Sequence, residues 1–191
     1  MIRALYDWTI SLAEHPRAIW ALAIVAFVES SVFPIPPDIL MIPMIIARPS
    51  RAFVIAGVAM VASVLGGMLG YYIGWGLFDS IGQPILDFYG KADQFDGFAA
   101  RYNEWGAWAV LVAGVTPFPY KVITILSGST GLSLPVFIIS SVIARGLRFF
   151  IIAGLLWKFG PPIRDFIERR LGLMFILFVA ILAAGFGAVK F

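Results

Sequence analysis

Apolar residues run along this chain in long blocks, and the polar positions that interrupt them carry the pattern. The first block, Ala18 to Ala47, is broken in its middle by Glu29-Ser-Ser-Val-Phe-Pro-Ile-Pro-Pro-Asp38. Proline lacks an amide proton and disfavours helical geometry in the residue before it, so Pro34, Pro36 and Pro37 predict that no continuous helix passes through. The arms on either side have roughly 16 and 10 residues, short of the ~20 that span a bilayer. A re-entrant hairpin over 18–47 is the economical reading. Ala52 to Phe78 is long enough to span with tilt, and Gly66, Gly70 and Gly74 recur on it every fourth residue, a small-residue face for close helix packing. Residues 79–105 read as a polar external loop with a surface-lying helix, and Trp105 and Trp108 mark re-entry at an interface.

A second broken segment, 106–131, has Pro117 and Pro119 at its centre. A spanning helix over 134–157 follows, with Ser133 as its cap and a stop at Gly160-Pro-Pro. A short charged helix (163–170) and an apolar stretch (171–189) complete a C-terminal unit, 160–191, that crosses once more. At the other end, residues 1–17 predict an amphipathic helix lying on the membrane surface. Asp7 and Glu14 interrupt it, which argues against a signal peptide.

The pattern repeats. Val32-Phe-Pro-Ile-Pro matches Val115-Thr-Pro-Phe-Pro, and Ser63-Val-Leu-Gly-Gly-Met-Leu-Gly-Tyr-Tyr-Ile73 matches Ser141-Val-Ile-Ala-Arg-Gly-Leu-Arg-Phe-Phe-Ile151. The unit is a broken segment plus a spanning helix, present twice. If each broken segment is re-entrant, the second copy is inverted, the arrangement of secondary transporters with a site at the repeat interface. The expected fold class is therefore an all-α polytopic membrane protein.

Composition agrees. Of 191 residues 61% are hydrophobic and 13% charged, about half the charge of a soluble domain, and the mean hydropathy is +0.94. The net charge of +3 reflects juxtamembrane Arg and Lys rather than a nucleic-acid surface. Arg3, Arg17, Arg48, Arg51, Lys158, Arg164, Arg169 and Arg170 fall on one face, and Lys91, Arg101 and Lys190 on the other. The positive-inside rule then places the N-terminus in the cytoplasm. The same division results if both broken segments cross fully, so charge orients the chain without deciding re-entrance. There is no cysteine, no HExxH, GxSxG or P-loop, and a lone His15 beside Pro16. An enzyme is not expected, nor a metal or a cofactor.

Five charges remain inside: Glu29 and Asp38 from the first break, Lys121 from the second, and Arg145 with Arg148 one turn apart on the next helix. Such groups are costly at membrane depth and functional by default. One reading is mutual neutralisation that locks the bundle, testable by exchanging Glu29 with Arg148. The other assigns proton exchange to Glu29 and Asp38, and a phosphate to Lys121, Arg145 and Arg148. The function expected is movement of an anionic lipid headgroup coupled to protons. A small-ion or solute transporter using the same site, and a structural or assembly protein, stay open, as does a homo-oligomer.

Together, Glu29 with Phe-Pro-Ile-Pro-Pro-Asp38, the glycine-rich helix, Thr-Pro-Phe-Pro-Tyr-Lys121 and Ala-Arg145-Gly-Leu-Arg148-Phe-Phe resemble the DedA family, in particular its YqaA-like branch, which shares a domain with the VTT (SNARE-associated Golgi) proteins. The resemblance covers roughly 18–159. It implies facing re-entrant hairpins in an inverted repeat in the bacterial inner membrane. It also implies flippase-like lipid transport, of polyprenyl phosphate or phospholipid, driven by proton-motive force. By position, Glu29 and Asp38 match the family's embedded acids and Lys121 its second hairpin arginine. The first of those arginines is absent near Val115 and Thr116, and Arg145 and Arg148 stand in for its charge.

Overall fold

The structure, a computed structural model, describes residues 17–32, 36–90, 92–116 and 119–188, with side chains except at 92–93, 161 and 163–188. All regular elements among them are helical: α1 (Ala18–Ser31), α2 (Asp38–Ala47), α3 (Ala52–Leu77), α4 (Gln83–Phe88), α5 (Ala92–Val115), α6 (Tyr120–Ser129) and α7 (Leu134–Ala188). A 3-10 turn, Pro49–Arg51, leads into α3, and a π-helical turn, Phe78–Gly82, follows it. The interfacial helix expected over 1–17 lies, up to residue 16, outside the described residues, as do Pro34 and Pro117.

The prolines interrupt the chain where expected. α1 ends at Ser31, and Val32 leaves helical geometry at φ −134°. α2 starts immediately after Pro37, whose carbonyl accepts from Leu40 and Met41, while that of Pro36 accepts from Ile39. Pro119, extended at ψ 101°, likewise precedes α6 and accepts from Val122. A proline without a donor is suited to this place, because the first amides of a helix have no intrahelical partner. The observed arms of the first segment are 14 and 10 residues long.

α3 and α7 form the centre. Phe53 of α3 meets Phe150 and Trp157 of α7, and Tyr71 meets Phe137, so the two helices run antiparallel. Each is long and apolar enough to cross a membrane, within the stretches Pro49–Phe88 and Leu134–Gly160. α1 and α6 pack on α3, and α5 and α2 pack on α7.

The glycine face of α3 seats two backbones. A Cβ at Gly66 would overlap the Phe27 carbonyl of α1, one at Gly70 the Thr124 hydroxyl of α6, and one at Gly74 the Ile125 carbonyl of α6. Gly128 returns the contact from α6, lying against the Tyr71 carbonyl. α6 closes with Gly131 at φ +67°, and bonds from Leu132 N–H to Ser127 O and from Gly131 N–H to Gly128 O satisfy its last carbonyls.

Buried apolar residues form two clusters. One joins Leu22, Met41, Ile45, Ile55, Ala59 and Phe149, and the other Tyr71, Val110, Tyr120, Ile123, Leu132 and Phe137. In the second, the Tyr71 hydroxyl donates to the Leu132 carbonyl at 2.6 Å. Tyr71→Phe leaves that carbonyl without its donor, and stability should fall by about 1–2 kcal/mol, read as a melting point lower by roughly 2–8 °C in detergent.

Two sequence expectations are corrected. The external loop over 79–105 is largely helix, because α5 begins at Ala92. Phe95, Phe98 and Tyr102 lie at helical spacing and stack successively, with Phe78 of the π turn on Phe95 at 4.7 Å. That ring ladder holds the amphipathic first half of α5 in helical form. The surface helix expected near residues 81–89 is α4. The expected stop at Gly160 is also absent, since α7 continues without interruption to Ala188. Gly160 does not enter the left-handed region. Adjacent prolines remove two amide donors but hold φ at a helical value, so the ladder resumes beyond them. Residues 163–170 and 171–188 are therefore one helix with 134–157 rather than separate elements.

Candidate functional site

The charged residues converge between the two apolar clusters. Ser63 lies on α3 between Ala59 of one cluster and Tyr71 of the other, and Arg145 lies on α7 between Phe149 and Phe137. Around them meet the ends of the broken segments: Glu29 in the last turn of α1, Asp38 at the first position of α2, Thr116 after α5, and Lys121 in the first turn of α6.

The pairing is specific. Arg145 Nη2 binds Glu29 Oε2 at 2.8 Å, and Arg148 Nη2 binds Asp38 Oδ2 at 2.6 Å. Glu29 is thus partnered by Arg145, not by the Arg148 that the sequence reading set against it. Helix geometry decides this: positions 145 and 148 are one turn apart, so their side chains reach different neighbours.

The two pairs differ in surroundings. Arg145 is 2% exposed. Its Nε donates to Ser63 Oγ at 2.6 Å, and its guanidinium lies 4.8 Å from the Tyr120 ring and 4.7 Å from the Phe149 ring. Ser63 and Ser30 share a 2.7 Å hydrogen bond, and Ser30 Oγ donates to Glu29 Oε2 at 3.0 Å. This is a closed network of one acid, one base and two hydroxyls, tying α1, α3 and α7.

The Asp38–Arg148 pair is open by comparison, with side chains 17% and 18% exposed. Arg148 Nη1 donates to the Thr116 carbonyl at 2.6 Å, so this arginine joins both breaks. Among the described residues, Asp38 Oδ1 and Arg148 Nε are buried with no hydrogen-bond partner, an arrangement that costs free energy in a buried site. Lys121 Nζ donates to the Val32 carbonyl at 3.2 Å. Among the described residues no carboxylate pairs with it.

The structure therefore brings all five predicted charges to one level, with Pro36, Pro37 and Pro119 at the helix starts that place them. Gly66 and Gly70 let α1 and α6 approach α3 beside that level, while Gly74 packs α6 further along. Sequence reasoning missed the hydroxyls: Ser30, Ser63, Thr124, which donates to the Ser30 carbonyl at 3.0 Å, and the Tyr120–Ser141 bond of 2.5 Å. One signal was present, because Ser63 and Ser141 are the same position in the two repeats. Each receives a hydrogen bond from another helix, Ser63 from Arg145 of α7 and Ser141 from Tyr120 of α6.

Comparison with known proteins follows this geometry. The VTT domain profile matches residues 35–158, a span that contains Asp38, Lys121, Arg145 and Arg148 and begins after Glu29. An uncharacterized protein of Haemophilus influenzae is 36% identical over 168 residues, covering 86% of this chain and 87% of its own length. A second uncharacterized protein, from Histophilus somni, is 38% identical over 168 residues with the same coverage. No solved structure matches the chain. With the domain spanning well over half of its length, and two helices able to cross a bilayer, this membrane protein belongs to the VTT domain family.

Proposed function

We propose that the protein moves an anionic lipid across the bacterial inner membrane by its phosphate headgroup, exchanging protons at Asp38 and Glu29. The observation that carries this reading is the Asp38–Arg148 pair: partly open, placed at both helix breaks, and retaining an unpartnered acceptor and donor. A proton delivered to Asp38 cancels its charge and frees Arg148 for a phosphate oxygen. Lys121, with no carboxylate of its own, supplies the excess positive charge beside it. The first amides of α2 and α6 add partial positive charge at the same level.

The architecture we infer is a pair of re-entrant hairpins, α1–α2 and the C-terminal half of α5 with α6 (106–131), in an inverted repeat. Three observations support it. α1 and α2 are each shorter than a bilayer span. α3 and α7 are antiparallel. The packing pattern is preserved when the units are exchanged: α1 on α3 becomes α5 on α7, and α6 on α3 becomes α2 on α7. Asp38 and Lys121 occupy equivalent positions in the two units, as do Gly70 and Arg148. We place the chain in the YqaA-like branch of the DedA proteins, with a cytoplasmic N-terminus.

The test is flipping of headgroup-labelled polyprenyl phosphate and phospholipids in proteoliposomes, with and without a pH gradient. Asp38→Asn and Arg148→Ala should each slow gradient-driven flipping by about tenfold or more, the loss of one charge-assisted contact of ~1.5–3 kcal/mol. Flipping indifferent to the gradient identifies a scramblase. Transport of soluble anions alone identifies a solute carrier, and no transport of either identifies a structural role.

A further inference from the structure

A cavity of about 350 Å³ lies at the other end of α3 from its first turn, lined by Trp75, Gly76, Phe78, Asp79, Gly128, Ser129 and Gly131. It is separate from the charged site, since Asp79 is 16 residues beyond Ser63, about 24 Å at the helical rise. Its chemistry is opposite in sign. Among the described residues, Asp79 is the sole charged one in the lining. The C-terminal end of α6 forms one wall, and the partial charge of a helix C-terminus is negative. Trp75 is 63% exposed and offers an indole face, the best of the aromatic surfaces for a cation.

The backbone keeps the cavity open. The chain passes through a π-helical turn at Phe78–Gly82, a feature that recurs at functional sites. A Cβ at Gly76 or Gly131 would meet nothing within 4 Å, so these glycines do not serve close packing there. On the elements that follow, Asp87 of α4 and Asp96 and Glu104 of α5 outnumber Arg101 of α5 among the described residues, an excess of negative charge that favours cations.

We infer that this cavity binds an organic ammonium group, held by the Asp79 carboxylate and the Trp75 ring against the C-terminal end of α6. A lipid ethanolamine or choline headgroup and a free amine share that chemistry. The inference does not depend on phosphate transport at the charged site.

The experiment measures binding to the full chain in detergent, using short-chain phosphatidylethanolamine, phosphatidylcholine and phosphatidylglycerol, together with free ethanolamine and tetramethylammonium. The ammonium lipids should bind at least about tenfold more tightly than phosphatidylglycerol, and Asp79→Asn or Trp75→Leu should each remove most of that preference. The first side-chain carbon at Gly76 meets nothing within 4 Å, and Gly76→Leu should abolish ammonium binding while the melting point stays at or above that of the wild type. Tight binding of the free amines identifies a soluble amine as the ligand, and binding of the lipids alone identifies a headgroup. Equal affinity for lipids with and without the ammonium, or a preference untouched by all three substitutions, would overturn the inference.

Discussion

Arg145→Met should destabilise the protein severely, by about 3–5 kcal/mol, the cost of stranding one partner of a buried ion pair. Methionine keeps most of the volume but removes both charge-assisted bonds, leaving Glu29, whose side chain is 12% exposed, with only the Ser30 hydroxyl. Ser63 loses its strongest donor, and the rings of Tyr120 and Phe149 lose the cation between them. In detergent the melting point should fall by roughly 6–20 °C. The double variant Glu29→Gln/Arg145→Met should recover much of that loss, because the uncompensated carboxylate is gone. Arg148→Ala should behave differently. Its pair is partly open and already carries unpartnered atoms, so the melting point should move little while transport collapses. Equal melting points for Arg145→Met and the wild type would remove the distinction between a tying pair and a working pair.

Gly74→Leu should be nearly as damaging, for a steric reason. The first carbon of any side chain there overlaps the Ile125 carbonyl and comes within 3.0 Å of the Ser129 amide. Both are backbone groups of α6, so no rotamer change relieves the clash and the helices must separate. Overpacking a core costs about 1–3 kcal/mol where side chains can yield, and the cost here should reach or exceed the top of that range. Separation would also displace Lys121 and Thr124, which α6 carries. Gly57→Ala is the control on the same helix, where the added carbon meets nothing within 4 Å. It should stabilise by about 0.5–1 kcal/mol, the gain from replacing glycine in a helix interior. A melting-point series over both variants checks the contrast. A Gly74→Leu protein as stable as the wild type would mean that α6 does not pack on α3 through this face.

Helix breaks, long apolar helices and the charges set within apolar runs were legible in the chain because each rests on local chemistry. Proline at 36, 37 and 119 lacks a donor and disfavours helical geometry in the residue before it, so a break at these clustered prolines follows from local chemistry. An apolar run over 52–77 forms a helix long and apolar enough to cross a membrane, because its length and its backbone demands leave few alternatives. Glu29, Asp38, Lys121, Arg145 and Arg148 stand out because apolar neighbours make a charge expensive. Two local signals misled. Gly160-Pro-Pro reads as a stop, yet glycine can remain in a right-handed helix and proline's fixed φ is itself helical. The acidic stretch beyond Phe78 reads as a loop, yet it is largely helix, with Phe95, Phe98 and Tyr102 in successive ring contact and Phe78 stacked on Phe95.

What the amino-acid order determined by itself was which charges interrupt its apolar runs and where the chain must break. Only the tertiary structure decided which acid meets which base. Pairing depends on how α1 and α2 sit against α7, and that docking is set by contacts from distant sequence, the Phe27 carbonyl on Gly66 and the Ile125 carbonyl on Gly74. The hydroxyls of Ser30, Ser63 and Thr124 are unremarkable in an apolar run. They become part of the site because backbones brought this close have no water between them, and each buried polar group must then find its partner within the protein.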